Sequence, residues 1–220
     1  MRKWLTIILS VACCLLVSGA LITPDFSQGM VDEKAIDNRV KKFLKNYRGK
    51  WADWNVPEAD GKALYNLIIQ NKYKKALEIG TSTGRSAIWM AWALSKTGGK
   101  LITIEIDEER YRKALVNFEE AGLSPYIDAR LADAHELVEE LEGPFDFIFT
   151  DADKGWSKNY FLALEPKLEV GGCFTAHNVS QRHWGGIGEF LDYVESLPNF
   201  ETHIDRSSSE GLSVSYKRSE

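Results

Sequence analysis

The run Phe145-Asp-Phe-Ile-Phe-Thr-Asp-Ala-Asp-Lys154 passes from alternating aromatic side chains straight into Asp151, Asp153 and Lys154. Charges so near a core are costly unless they are paired, bound to a metal or open to a cleft. Four other stretches put acidic or polar residues directly after short apolar runs: Glu78 to Gly84, Glu105 to Asp107, Asp133-Ala134 and His177-Asn178. The bland alternative for Asp151 and Lys154 is a surface ion pair, which contributes little.

Leu77-Glu-Ile-Gly-Thr-Ser-Thr-Gly-Arg-Ser86 reads as a strand, a bend and the start of a helix. Gly80 and Gly84 allow a tight turn and close approach of a ligand. The first N–H groups of the helix are free to meet an anion or carboxylate. A dinucleotide loop would carry three glycines in the spacing Gly-x-Gly-x-x-Gly; this bend has two, with Glu78 ahead of them. A carboxylate there disfavours pyrophosphate and favours a ligand with positive charge, such as S-adenosylmethionine, which bears an ammonium and a sulfonium. Glu105 ends the next strand and can accept from both hydroxyls of a ribose. Asp133-Ala134 stands where an adenine edge would lie, and Asp133 also suits a helix N-cap.

The elements that must position these residues alternate. Asp32 to Tyr47 has helical periodicity, with Ile36, Val40, Phe43 and Leu44 on one face. Pro57 suits the first turn of a second helix striped by Leu64, Leu67 and Ile68. Strands at 76–79, 101–106, 126–131, 145–150 and 172–176 then alternate with helices at 86–94, 108–120, 134–141, 160–168 and 187–197. Strands at 200–204 and 212–216 close the chain without a helix between them. This pattern predicts an α/β doubly wound, mostly parallel seven-stranded sheet with an antiparallel C-terminal strand. Ligands of such sheets bind beyond the carboxyl ends of the strands, near the reversal of strand order.

Over residues 51 to 218 the chain resembles the class I S-adenosylmethionine-dependent O-methyltransferases, specifically the catechol and caffeoyl-CoA type. The resemblance rests on Asn55-Val56, Leu77 to Ser86, Ile104-Glu-Ile-Asp107, Phe145 to Lys154 and Gly171-Gly172 to His177-Asn178. It implies a Rossmann-like fold and an enzyme that methylates a small hydroxylated, potentially aromatic acceptor. It also implies that Val56, Glu78, Gly80, Ser82, Gly84 and Ser86 hold the methionine part of the cofactor, Glu105 the ribose and Asp133-Ala134 the adenine. Asp151 would bind a divalent metal and Lys154 take the acceptor proton, with no task for Asp153. The other metal ligands of the family are an Asp-Asn pair, where this chain has His177-Asn178. Magnesium holds imidazole poorly, so Asp151, His177 and Asn178 would favour manganese, iron or zinc. His177 could equally replace a lost metal as general base, or merely hydrogen-bond in the cleft. The acid expected of catechol-type members near the C-terminus aligns with Ser207, which speaks against a catechol. Trp51, Trp54, Trp156 and Trp184 fall in loops near the expected mouth and could stack on an aromatic acceptor. His135 and His203 read as incidental, while His183 could approach the site.

A net charge of -5 argues against a nucleic-acid partner. Arg2-Lys3 precedes an uncharged stretch of 21 residues, Trp4 to Pro24, ending near the small-residue run Ser18-Gly19-Ala20. This reads as a signal peptide or a membrane anchor through residues 4–24, followed by a helical lead-in over 25–50 and the main domain over 51–220. The charge pattern puts the domain outside the cytoplasm, in the secretory pathway, the periplasm or at a membrane. Cys13 and Cys14 belong to the leader, and Cys173 alone follows it, so no disulfide framework exists. A homodimer is compatible with this reading. Two competitors remain: a catalytically inactive cofactor-fold binding protein, for which the His177 replacement counts, and a nicotinamide-dependent oxidoreductase, against which Glu78 and the missing glycine count.

Overall fold

The computed structural model describes residues 26–51 and 53–220, with side chains from residue 33 onward. The leader read from the sequence lies outside the described residues. Among those described, no helix is long and apolar enough to cross a membrane.

Seven strands form one sheet in the order β3-β2-β1-β4-β5-β7-β6. The strands are β1 (Lys75–Ile79), β2 (Lys100–Glu105), β3 (Ile127–Leu131), β4 (Phe145–Thr150), β5 (Leu168–His177), β6 (Phe200–Asp205) and β7 (Leu212–Lys217). The first five pair in parallel, and β7 lies antiparallel between β5 and β6. The chain runs outward from β1 through β2 to β3, then returns to place β4 on the other side of β1. Strand order therefore reverses at β1 and β4.

Among the described residues, seven helices cover the sheet: α1 (Phe26–Asn46), α2 (Glu58–Asn71), α3 (Arg85–Thr97), α4 (Glu108–Ala121), α5 (Ala134–Glu140), α6 (Ser157–Leu164) and α7 (Ile187–Ser196). Alternate strand side chains enter opposite layers. Phe147 and Phe149 pack with Val40, Phe43, Leu64 and Ile68 under the first helices. Ile148 packs with Phe161, Phe174 and Phe190 under the later ones. The lead-in helix α1 thus shares the core of the main domain. Several element boundaries differ from the sequence reading. Helix α6 ends at Leu164, where Glu165–Lys167 tightens into a 3-10 turn containing Pro166. Strand β5 starts at Leu168, because only its second half is buried and apolar enough to show as a strand in sequence. Pro57 is the N-cap of α2 rather than its first helical residue.

Candidate active site

A cavity of about 840 Å³ opens beyond the carboxyl ends of β1 to β5, at the reversal of strand order. Its floor is the meeting of two strand tips. Gly80 has φ +95°, and a Cβ there would stand 2.6 Å from the carbonyl oxygen of Asp151. Only glycine satisfies both constraints, so this residue lets the β1 bend lie against the β4 tip.

One end of the cavity is built largely from backbone. Ser82 N–H donates to Glu105 Oε2 at 2.6 Å, while Ile106 and Asp107 N–H donate to Oε1 at 3.1 and 2.9 Å. Glu105 thereby ties the β1 and β2 tips together, and Oε2, which accepts only once, keeps further accepting capacity. Ser82 takes φ +49°, and its buried hydroxyl has no hydrogen-bond partner among protein atoms. A buried, unsatisfied hydroxyl on a cavity wall is a ready contact for a polar ligand. Asp133 caps α5, accepting from His135 N–H at 2.9 Å, and lines the cavity beside Ala134. Asn55 reaches across from the loop before α2, donating to Thr83 Oγ1 at 2.8 Å.

Four of the cofactor residues expected from the sequence do not line this cavity. Val56 is buried in the core. Gly84 serves packing: it caps α3 with φ +94°, and a Cβ would meet the Phe118 ring at 2.5 Å. Glu78 is wholly buried beneath the bend, accepting from Thr103 Oγ1 at 2.5 Å, with Ser86 beside it. Burial pushes its carboxyl up to about 8, outweighing the Ser86 and Thr103 hydroxyls that favour the charged form. A neutral acid there does not offer the negative charge that the sequence reading assigned to it.

The other end is built from side chains. Asp151 Oδ1 pairs with Lys154 Nζ at 2.6 Å. Asp151 Oδ2 faces His177 Nδ1 at 3.2 Å, an ion-pair contact rather than an aligned hydrogen bond. His177 Nε2 meets Asp60 Oδ2 at 2.7 Å. Ser208 Oγ donates to the same Asp60 oxygen at 2.8 Å. His177 and Asp60 are 3% and 1% exposed. Burial alone would push His177 down, but the two flanking carboxylates raise it to about 9. Burial likewise pushes Asp151 up, and the Lys154 and His177 charges outweigh it and hold the carboxyl below its usual value. Gly186 N–H donates to Lys154 O at 3.0 Å, so the loop before α7 clamps the lysine backbone. Asn178 sits at φ +61° and donates to Glu210 Oε2 at 3.0 Å.

A family model described as O-methyltransferase matches residues 27–189. The chain belongs to the O-methyltransferase family. A catechol O-methyltransferase from Niastella koreensis is 43% identical over 129 residues, covering 57% of this chain and 58% of that protein. Caffeoyl-CoA O-methyltransferase 1 of Arabidopsis thaliana is 32% identical over 178 residues, covering 76% of this chain and 67% of that protein. The alignment thus spans little more than half the length of the first relative. Among solved structures, an O-methyltransferase from Bacillus cereus in complex with SAH superposes with a TM-score of 0.70 at 25% identity, covering 86% of this chain and 97% of that one.

The metal that the family resemblance implies does not fit the residues found here. Both nitrogens of His177 face carboxylates, and a ring protonated on both offers no lone pair to a cation. Both oxygens of Asp151 already face protein cations. Asn178 is held by Glu210. Among the described residues, no group of three or more His, Cys, Asp or Glu side chains is arranged to hold a metal ion. The same geometry removes His177 as a poised general base, since Nε2 is bound to Asp60 and Nδ1 faces the Asp151 carboxylate rather than an acceptor hydroxyl.

Two residues of this candidate site, Asp60 and Glu210, escaped the sequence reading, and a third, His135, was read as incidental. Asp60 lies on the buried stripe of α2 with Leu64 and Ile68; a charge at that spacing was the available signal. Glu210, from the β6–β7 loop, supplies an acid at the rim, whereas Ser207 is exposed and turned to Asp205. His135 lines the wall, with its ring 4.1 Å from that of Trp156. Asp153 caps the turn after β4 by accepting from Gly155 N–H. Of the four loop tryptophans, Trp54 and Trp184 line the mouth; Trp51 packs on Phe43 and Tyr47. His183 is exposed and does not line the cavity, and His203 lies on β6 against Tyr216.

Proposed function

We propose that this chain transfers the methyl group of S-adenosylmethionine to a hydroxyl of a small aromatic acceptor. One observation carries the reading: a single cavity joins a bend built from Gly80, Ser82 and Glu105 to a rim built from Asp151 and Lys154, in a chain of the O-methyltransferase family. The methionine part lies against the bend, where Ser82 Oγ waits for a partner. Glu105 accepts from the ribose, and Asp133, Ala134 and His135 surround the base. The named relatives and the SAH-bound neighbour support this cofactor. Exposed Trp54 and Trp184 at the mouth support a flat acceptor.

Asp151 and Lys154 orient the acceptor hydroxyl in line with the sulfonium methyl. Holding two reactants at near-attack geometry supplies roughly 7–11 kcal/mol in well-oriented reactions. Titration calorimetry with S-adenosylmethionine and with NAD is the direct test: binding of the first alone is expected. Methyl-labelled cofactor offered with a panel of phenols then reports transfer. Absence of cofactor binding overturns the reading; binding without transfer to any phenol overturns the acceptor class only. The N-terminal leader supports an enzyme that is exported or tethered to a membrane, which fractionation with protease protection tests.

A further inference from the structure

Asp60, His177, Asp151 and Lys154 form a chain of alternating charge at the acceptor end, with contacts of 2.7, 3.2 and 2.6 Å. Resting on the methyltransferase reading above, we infer that His177 and Lys154 supply the positive charge a divalent cation would otherwise bring to Asp151, so that methyl transfer proceeds without a metal, with Asp60 as the positioning residue for His177.

Charge balance carries the argument. Two carboxylates meet two protein cations in a region that is nearly water-free: the four side chains are between 2% and 13% exposed. A buried set of this kind is tolerable only when it is neutral overall. A divalent cation added to it would leave a surplus of two positive charges, one of them on the Lys154 ammonium bonded to the would-be ligand. An aspartate at position 177 would instead leave three carboxylates against the single Lys154 ammonium, a surplus of two negative charges that a divalent cation would neutralise. The single replacement by His177 therefore changes a ligand into a counter-ion. Asp60 makes the change stable, because without it the ring would have a charged partner on one side only. Ser208 ties the Glu210 loop to the same Asp60 oxygen, so the acceptor rim is anchored to this chain of charges.

Lys154 then acts as a cation toward the acceptor rather than as its base. The acceptor hydroxyl loses its proton to solvent and sits as an oxyanion beside the Lys154 ammonium. Its oxygen attacks the methyl carbon as the carbon–sulfur bond breaks. That bond's electron pair stays on sulfur, so oxyanion and sulfonium become a neutral ether and a neutral thioether.

The test uses the full chain and manganese as the probe. Native protein is expected to transfer methyl at an unchanged rate after EDTA and to show no manganese binding at the site by electron spin resonance. His177→Asp is expected to gain manganese binding and to become dependent on the metal for turnover. Asp60→Asn is expected to lower kcat with the calorimetric affinity for S-adenosylmethionine unchanged, and Asp60→Glu to recover part of kcat. Loss of native activity on EDTA, or native manganese binding that Asp151→Asn abolishes, overturns the inference. The native manganese measurement decides it even where His177→Asp fails to fold. Failure to bind S-adenosylmethionine would instead overturn the methyltransferase reading, so the two failures are distinguishable.

Discussion

The two ends of the cavity solve the same problem, holding polar groups beside a core, by different means. At the cofactor end the polar groups are mostly backbone: three N–H groups converge on Glu105, and the bend around Gly80 and Ser82 is shaped by positive φ angles. One hydroxyl there is left unsatisfied. The acceptor end uses side chains drawn from α2, β4, β5 and the β6–β7 loop, and its charges are already paired with one another. A site that keeps open valences is built to receive a polar ligand. One whose charges already neutralise one another leaves no unpaired charge for an added ion.

The contrast can be broken in several ways. Removing a partner from the acceptor end should cost most stability. Asp60→Ala is expected to lose about 3–5 kcal/mol, because His177 keeps a charge with one partner fewer in a dry interior. Urea unfolding measures this, and calorimetry should show cofactor affinity intact in the folded variant. A parallel fall in affinity would mean that the two ends are not separable. Gly80→Ala should cost about 3 kcal/mol from strain and from the clash with Asp151, and should weaken the cofactor. Full retention of both would show that the bend can relax. Glu105→Gln should weaken S-adenosylmethionine by about 2 kcal/mol, some tenfold or more, with kcat little changed at saturation.

The most gradual expected effect is on the pH dependence of stability. Glu78 and His177 both bind protons more tightly folded than unfolded. Between their unfolded and folded values the native state carries the extra proton, so stability is full at lower pH and declines as pH rises. For Glu78 the window runs up to about 8, and for His177 up to about 9. Each contributes at most about 1.4 kcal/mol per pH unit within its window. Chemical denaturation from pH 6 to 9 should show this decline, and Glu78→Gln should flatten its lower part. A stability that is level or rises with pH would contradict the burial assigned to Glu78 and the pairing of His177 with Asp60 and Asp151.

Much of the scaffold was legible because its signals are local. Alternating short apolar runs and helical periods reported the parallel sheet, and the two helix-free strands at the end reported β6 and β7. Strand tips named Gly80, Ser82, Glu105, Asp133, Asp151, Lys154, His177 and Asn178, all of which line the cavity. Glu78 misled because a side chain that ends a strand can point to the mouth or beneath it, and strand alternation alone does not say which.

By itself, then, the sequence determined the order of elements and the strand tips that meet at the switch point, since these follow from periodicity and chain connection. The tertiary structure alone decided what those tips touch. Asp60 stands 117 residues from His177, and no spacing rule joins a helix to a strand across that distance. Whether His177 is a ligand, a base or a counter-ion depends on two carboxylates that only packing brings to its ring, because Coulomb energy depends on distance in space and on burial, not on distance along the chain.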